Sequence, residues 1–426
     1  MGEYLSRRPR LATLCVITIG SLLALPFMWR MLTTADITAG FSRTDFWVYW
    51  STAGDWLDGE SIYDPADPFG GYLYPPIYLL FFTPFAMFLT LDGGYQLWMV
   101  LSIGGLWIAM QALIVTYVPT LNRLERIVIA IGSLSLLFCF HPVWYGMRLG
   151  QVTISAAALV TIAVVAMERQ ASGAIHGAIS GILTAVVGTV KLFYAPVGAH
   201  LLLSPLRFAW ALLAGVLLLS GSLLIFGMEV HLNYLEVLRW GEDWGEEPSH
   251  PASGWIPGYY RPFYYLGHAQ LGDTGLPLSL LPRLIIVIGI ISLAMWVRNE
   301  PADREIFALG IVAIPLLSPQ ISVHDFALLI PSFIMLTYIE VRRGGYPWIP
   351  IFAILLIHWQ AYATFALANA PEWVMLAGVI STWSPLLQPG VYANFLLVGL
   401  AAGRALEYRI PEWLDRQLNS VHRQKR

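Results

Sequence analysis

Long apolar runs dominate the chain, and short polar clusters separate them. Runs long enough, or nearly long enough, to cross a bilayer cover Leu11–Thr33, Pro75–Thr90, Tyr95–Val118, Ile127–Phe140, Val152–Met167, Ala174–Val190, Trp210–Phe226, Leu276–Val297, Ile306–Leu317, Phe326–Val341, Ile349–Leu367 and Tyr392–Ala405. Two further stretches are marginal: Leu192–Leu203 is short, and Trp373–Leu387 holds a Trp-Ser-Pro break. A spanning helix needs roughly 20 mostly apolar residues, so the pattern predicts an all-α, polytopic membrane protein of about 12 transmembrane helices. Composition agrees. Of 426 residues, 57% are hydrophobic and 12% charged, against roughly 25% charged in soluble chains. So little charge cannot wet a soluble surface. A net charge of −3 also excludes a nucleic-acid-binding face of any size.

Lysine and arginine placement sets the expected orientation. Arg7, Arg8 and Arg10 put the N-terminus in the cytoplasm. Arg298 with Arg304, and Arg342 with Arg343, mark two more cytoplasmic turns. The tail at 404–426 carries Arg404, Arg409, Arg416, Arg423, Lys425 and Arg426, so the C-terminus is cytoplasmic too. Its Ile410, Trp413, Leu414, Leu418 and Val421 recur at helical spacing, as in an amphipathic helix lying on a membrane surface. The topology between residues 75 and 205 stays open, because Arg123 and Arg126 favour the inside while the count of crossings puts them outside. Two long loops, 34–74 and 229–277, are expected on the extracytoplasmic face. No internal repeat or linker divides residues 1–426, which read as one integral membrane domain. Cys15 and Cys139 both lie in apolar runs and are not expected to pair. The Met1-Gly2-Glu3-Tyr4-Leu5-Ser6 start matches a myristoylation pattern that would add little to a polytopic chain. The absence of an Asn-x-Ser/Thr sequon or a retention tail leans toward a bacterial plasma (inner) membrane.

The polar clusters carry the candidate chemistry. The first loop is acidic and aromatic. Asp45 opens an expected helix in which Phe46, Tyr49, Trp50, Ala53, Trp56 and Leu57 form a stripe suited to the membrane interface. Asp45 is either an N-cap or a carboxylate base. Asp36, Asp55, Asp58, Asp64 and Asp67 are rivals for the second role. Gly150-Gln151 begins a helix, and Arg148 just before it either snorkels to head groups or, with Gln151, bonds a ligand. Lys191 lies between two apolar runs. A charge at bilayer depth costs roughly 2.5–3.5 kcal/mol on insertion scales, so it faces a cavity or reaches the rim. In a cavity it would suit an anion such as phosphate.

Ser318-Pro319-Gln320-Ile321-Ser322-Val323-His324-Asp325 interrupts an otherwise apolar stretch, and irregular backbone at that depth is tolerated mainly where it lines a cavity. A Ser–His–Asp hydrolase fits poorly, since no Gly-x-Ser-x-Gly elbow is present. The second loop crowds Trp240, Trp244, Trp255, Tyr259, Tyr260, Phe263, Tyr264 and Tyr265 beside four carboxylates. These rings serve either an interfacial belt or stacking on sugar faces. No metal-binding, P-loop or Rossmann signature occurs.

Taken in order, these clusters resemble the GT-C superfamily of polyprenyl-phosphate-sugar-dependent glycosyltransferases, and within it glycosyltransferase family 87, the bacterial α-1,2-mannosyltransferases. The residues carrying the resemblance are Asp45 with Phe46 and Tyr49, Gly59-Glu60-Ser61-Ile62-Tyr63, Tyr74-Pro75-Pro76, Gly150-Gln151, Lys191 with Pro196, and Ser318-Pro319 with His324. Where the family carries a tryptophan before the histidine, this chain has Val323. The resemblance implies inverting transfer of a hexose, mannose by analogy, from a polyprenyl-phosphate donor to a hydroxyl of a lipid-linked or glycan acceptor. It implies Asp45 as general base and His324 in the acceptor or phosphate pocket. Lys191, Arg148 and Gln151 would hold the donor phosphate, and Tyr49, Tyr74, Ser318, Trp255 and Tyr259 would line the sugar or acceptor pocket. No metal or other cofactor is implied. Two alternatives remain at this point: a secondary transporter, which ordinarily shows internal repeats, and a ligase or polymerase of lipid-linked oligosaccharides.

Overall fold

Among the described residues every regular element is helical. The structure, a computed structural model, describes residues 44–63, 71–243, 276–318, 322–368 and 389–409. The elements are α1 (Thr44–Leu57), α2 (Leu79–Phe88), α3 (Leu91–Tyr117), α4 (Arg123–Cys139), α5 (His141–Leu149), α6 (Thr153–Glu168), α7 (Ala174–Val190), α8 (Pro205–Asp243), α9 (Leu276–Trp296), α10 (Asp303–Leu317), α11 (Ile330–Arg343), α12 (Trp348–Ala368) and α13 (Pro389–Leu406). Short 3-10 segments at Pro76–Tyr78, Leu192–Leu203 and Val323–Leu329 lead into or join them.

Among these residues three helical stretches, Leu91–Tyr117, Pro205–Leu238 and Val323–Arg343, are long and apolar enough to cross a membrane. The pair α4 and α5 makes a fourth if its 68° bend is one broken span. Other apolar windows became shorter pieces, Pro76–Phe88, Thr153–Glu168 and Ala174–Val190 among them. Local chemistry ends several of them early. Asn122 and Glu125 form a reciprocal capping box that starts α4: the Glu125 N–H donates to Asn122 Oδ1 at 2.9 Å, and the Asn122 N–H to Glu125 Oε2 at 2.9 Å. Pro142 has no N–H to continue α4, so the chain turns at Phe140 and α5 begins. Outward-facing Leu224, Val100, Leu217 and Ile108 are exposed over most of their surface, as helices in lipid require. The protein is read as a membrane protein on this ground.

The expectation of one domain meets two compact units. The first comprises residues 1–165, 221–241 and 322–328; the second comprises 166–220, 242–321 and 329–426. In the first, α1 packs on α2 and α3 through rings. Phe46 meets Phe82, Phe85 and Tyr95 edge-on at 5.9–6.3 Å between centroids. The stripe expected to face the interface is therefore largely buried in protein: Phe46, Tyr49 and Ala53 are all inside, while Trp47 and Leu57 are exposed. The later part of α8 closes this unit, with Phe226 against Trp56 and Tyr234 against Tyr63. Because α8 runs to Asp243, residues 229–243 of the expected second loop are helical. Residues 244–275 lie outside the described residues, as do the first apolar run, Cys15, the Trp373–Leu387 stretch and the tail beyond residue 409.

In the second unit, ion pairs join one set of helix ends. Arg304 grips Glu168 with both Nε and Nη2 at 2.5 Å. Arg343 reaches Glu305 and Glu407 at 2.6 Å each. Arg404 holds Glu340 through Nε at 2.6 Å and Nη2 at 2.7 Å. Arg304 and Arg343 of the expected cytoplasmic turns, and Arg404 of the tail, are thus paired with carboxylates within the protein.

Candidate active site

The site assembles where α1, α5 and the loops beside them meet in the first unit. Asp45 lies in the first turn of α1 and is half-buried. The helix N-terminus favours a negative charge there. Its Oδ2 accepts from Gln151 Nε2. Gln151 Oε1 in turn accepts from Tyr74 Oη at 2.9 Å, and Tyr49 Oη lies 2.9 Å from Tyr74 Oη and 3.3 Å from the same amide oxygen. Tyr63 donates to the Tyr74 carbonyl at 2.5 Å, which fixes the strand of chain that carries Tyr74. Burial, then the neighbouring Tyr74 and Asp45, push the Tyr49 phenol well above its usual range, so it remains a donor throughout the working pH range. Burial does the same to Tyr63 and Tyr72.

Gly150 lets these parts approach. It ends α5 with φ 76° rather than beginning a helix, and the next helix starts at Thr153. A Cβ built on Gly150 would lie 2.5 Å from Phe46 Cβ. Gly150→Ala therefore strains the backbone by about 1–2 kcal/mol and pushes on the residue next to Asp45. A displacement of this kind is worth up to about 10²-fold in rate. The expected result is a lowered turnover and a lowered melting temperature in detergent, read on the same preparation.

The 3-10 segment at Val323–Leu329 brings His324 to α5. Its imidazole stacks on the Tyr145 ring with centroids 6.2 Å apart. His324 Nε2 lies 3.6 Å from Asp325 Oδ1, and both side chains are buried. Asp325 is pinned by Thr153 Oγ1 at 3.1 Å and by the Ser322 N–H at 2.9 Å. Arg148 stands on the same helix as Tyr145, its guanidinium over the Trp144 ring at 5.7 Å. Tyr95 of α3 braces α5 by donating to the Met147 carbonyl at 2.8 Å.

Lys191 and Ser318 belong to the second unit. Lys191 occupies the break between α7 and the 3-10 segment, with Nζ 5.5 Å from the Phe193 ring and 5.6 Å from that of Tyr194. Phe193 also lines a groove of about 570 Å³ whose walls include Leu192, Pro196, Leu284 and Leu317, and into which Arg283 is built. Ser318 is buried at the end of α10. Trp255 and Tyr259 lie outside the described residues, as do Asp36, Asp64 and Asp67. No group of three or more His, Cys, Asp or Glu side chains is gathered for a metal ion among the described residues.

Residues 72–319, well over half of the chain, match the family described as glycosyltransferase family 87. The chain belongs to glycosyltransferase family 87. No curated protein and no solved structure matches it. Membership carries glycosyltransferase activity, with a sugar donor and an acceptor as substrates. The family 87 match takes in Tyr74, Arg148, Gln151, Lys191 and Ser318, while Asp45 and His324 lie beyond its two ends.

The structure brings together Asp45, Gln151, Tyr74 and Tyr49 by hydrogen bonds. Gln151 therefore bonds the carboxylate rather than standing as an isolated polar residue. Sequence reasoning assigned no role to Asp325, Tyr145 or Tyr95. Asp325 was open to it as the neighbour of His324. No sequence signal ties Tyr145 or Tyr95 to the site.

Proposed function

We propose that this family 87 enzyme transfers a hexose, mannose by family analogy, from a polyprenyl-phosphate donor to an acceptor hydroxyl, with inversion at the anomeric carbon. Asp45 is the general base. The observation that carries this reading is the Asp45 carboxylate itself, held at a helix N-terminus by the Gln151 amide within a wall of tyrosines. The acceptor O–H gives its proton to Asp45 as its oxygen bonds to the anomeric carbon. The bond from that carbon to the phosphate oxygen breaks, and polyprenyl phosphate departs with the electron pair. A phosphate leaves as an anion, so no general acid is required. What the step needs is a carboxylate on the acceptor side and cationic groups at the phosphate.

His324, fixed between Tyr145 and Asp325, serves the acceptor or phosphate pocket. Arg148, on the helix that carries Tyr145, is the candidate for the phosphate; for Lys191 the family resemblance alone supports the same role. The groove beside Phe193 supports a lipid donor, because it combines apolar walls with Arg283. Each isoprenoid methylene buried in such a groove contributes about 0.8 kcal/mol. In this reading the acceptor is a lipid-linked or envelope glycan on the extracytoplasmic face of a bacterial inner membrane, and both chain termini are cytoplasmic.

The reaction is metal-independent in this proposal. Purified protein incubated with polyprenyl-phosphate-mannose and a panel of acceptor lipids is expected to yield one hexose added per acceptor, read by mass spectrometry. The rate is expected to be the same with and without EDTA. Product only from diphosphate-linked oligosaccharides would reassign the enzyme as a ligase. A rate that collapses in chelator and returns with a divalent ion would overturn the metal-free mechanism.

A further inference from the structure

We propose that Gln151 and Tyr74 are positioning residues for the Asp45 base, and that Gln151 does not serve the donor phosphate. The inference rests on the reading of Asp45 as the base. A glutamine amide has one donor end and one acceptor end. Here the donor end faces Asp45 Oδ2. The acceptor end receives Tyr74 Oη at 2.9 Å. That phenol also stands 2.9 Å from Tyr49 Oη, so the hydroxyls point one way, from Tyr49 through Tyr74 to the amide and on to the carboxylate. A flipped amide would set its carbonyl oxygen against the ionised Asp45 carboxylate, two acceptors with no proton between them. Its orientation is locked, and with it the orientation of the carboxylate.

The arrangement has two effects. It fixes the Oδ2 edge of the carboxylate, and so the direction in which the group faces. It also favours the ionised carboxylate, since an N–H donor stabilises the charge. Gln151, Tyr74 and Tyr49 are buried, so the hydrogen bonds among them are made away from water. Tyr145 of α5 is within electrostatic reach of Asp45, with Arg148 beyond it on the same helix. Tyr95 of α3 is committed to the α5 backbone, and His324 lies on the far side of the Tyr145 ring.

The test is the pH dependence of kcat and the donor KM for Gln151→Leu, Gln151→Glu and Tyr74→Phe in the full-length protein, with polyprenyl-phosphate-mannose as donor. Losing the amide donor raises the pH at which the base becomes ionised. The acid limb of the pH–rate profile is then expected to move upward by about one unit in Gln151→Leu, and further in Gln151→Glu, where a second carboxyl opposes the first. Turnover at a pH on the acid limb is expected to fall by about 10-fold in Gln151→Leu and to recover at higher pH, with donor KM unchanged. Tyr74→Phe leaves Gln151 in place with Tyr49 as its phenol partner, and is expected to shift the limb the same way by less. Tyr74→Phe also serves if the Gln151 variants fail to fold. An unshifted profile, or a raised donor KM at unchanged kcat, overturns the positioning role. If Asp45→Asn is inactive in the same assay while the Gln151 and Tyr74 profiles do not move, only this inference fails. If Asp45→Asn is active, the base assignment fails instead.

Discussion

Asp45→Asn is expected to abolish glycosyl transfer while leaving the protein folded. The change removes one proton-accepting oxygen and almost nothing else. Asparagine in the first turn forgoes only the charge–dipole interaction, about 0.3–1 kcal/mol, so α1 keeps its terminus. The remaining carbonyl oxygen still accepts from Gln151, and Phe46, Tyr49 and Ala53 stay packed. An amide cannot take the acceptor proton near neutral pH. Positioned general bases contribute about 10²–10⁴-fold, so a loss of about 10³-fold in turnover is expected. Initial rates by mass spectrometry, beside a melting curve in detergent, check it. A variant that melts like the parent and transfers sugar at the parental rate would remove Asp45 from the mechanism.

The largest expected effect on stability lies in the second unit. Glu340 is fully buried, and both its oxygens are taken by Arg404. Oε2 also receives the Tyr346 N–H at 2.7 Å. Truncating one partner of a buried pair leaves the other charge in a poor solvent, which costs about 3–5 kcal/mol. Arg404 keeps Glu407 at 2.5 Å, so Glu340→Ala is expected at the lower end, about 3 kcal/mol. Glu407 is 47% exposed, and Glu407→Ala is expected to cost no more than about 1 kcal/mol. Denaturant unfolding in detergent compares the two. Equal stabilities for both variants would show that the Arg404–Glu340 pair does not hold α11 to α13.

The helical character and the family resemblance were legible in the sequence. Asp45, Gln151 and His324 stand out because each is a polar residue in an apolar chain. What they do for one another was not legible. Gln151 and Asp45 are separated by 106 positions, and no periodicity links them, so the amide was assigned to a phosphate. The aromatic stripe of α1 was read correctly as a helix face but placed against lipid. Periodicity identifies a buried face without saying what buries it, and here Phe82, Phe85 and Tyr74 do. Hydropathy windows also overstate spans. Leu192–Leu203, apolar apart from His200 and marginal in length, winds as a 3-10 segment with Pro196 inside it. Likewise, the capping box at Asn122 is a local signal that a window average hides.

One short piece of the C-terminal half, residues 322–328, is counted with the first unit, and it delivers His324 to Tyr145 and Asp325 to Thr153. A ribosome making this protein must therefore pass residue 328 before that unit can close. Until then the growing polypeptide holds Asp45, Gln151 and the tyrosines without their histidine. A nascent chain thus lacks this segment through three quarters of its synthesis.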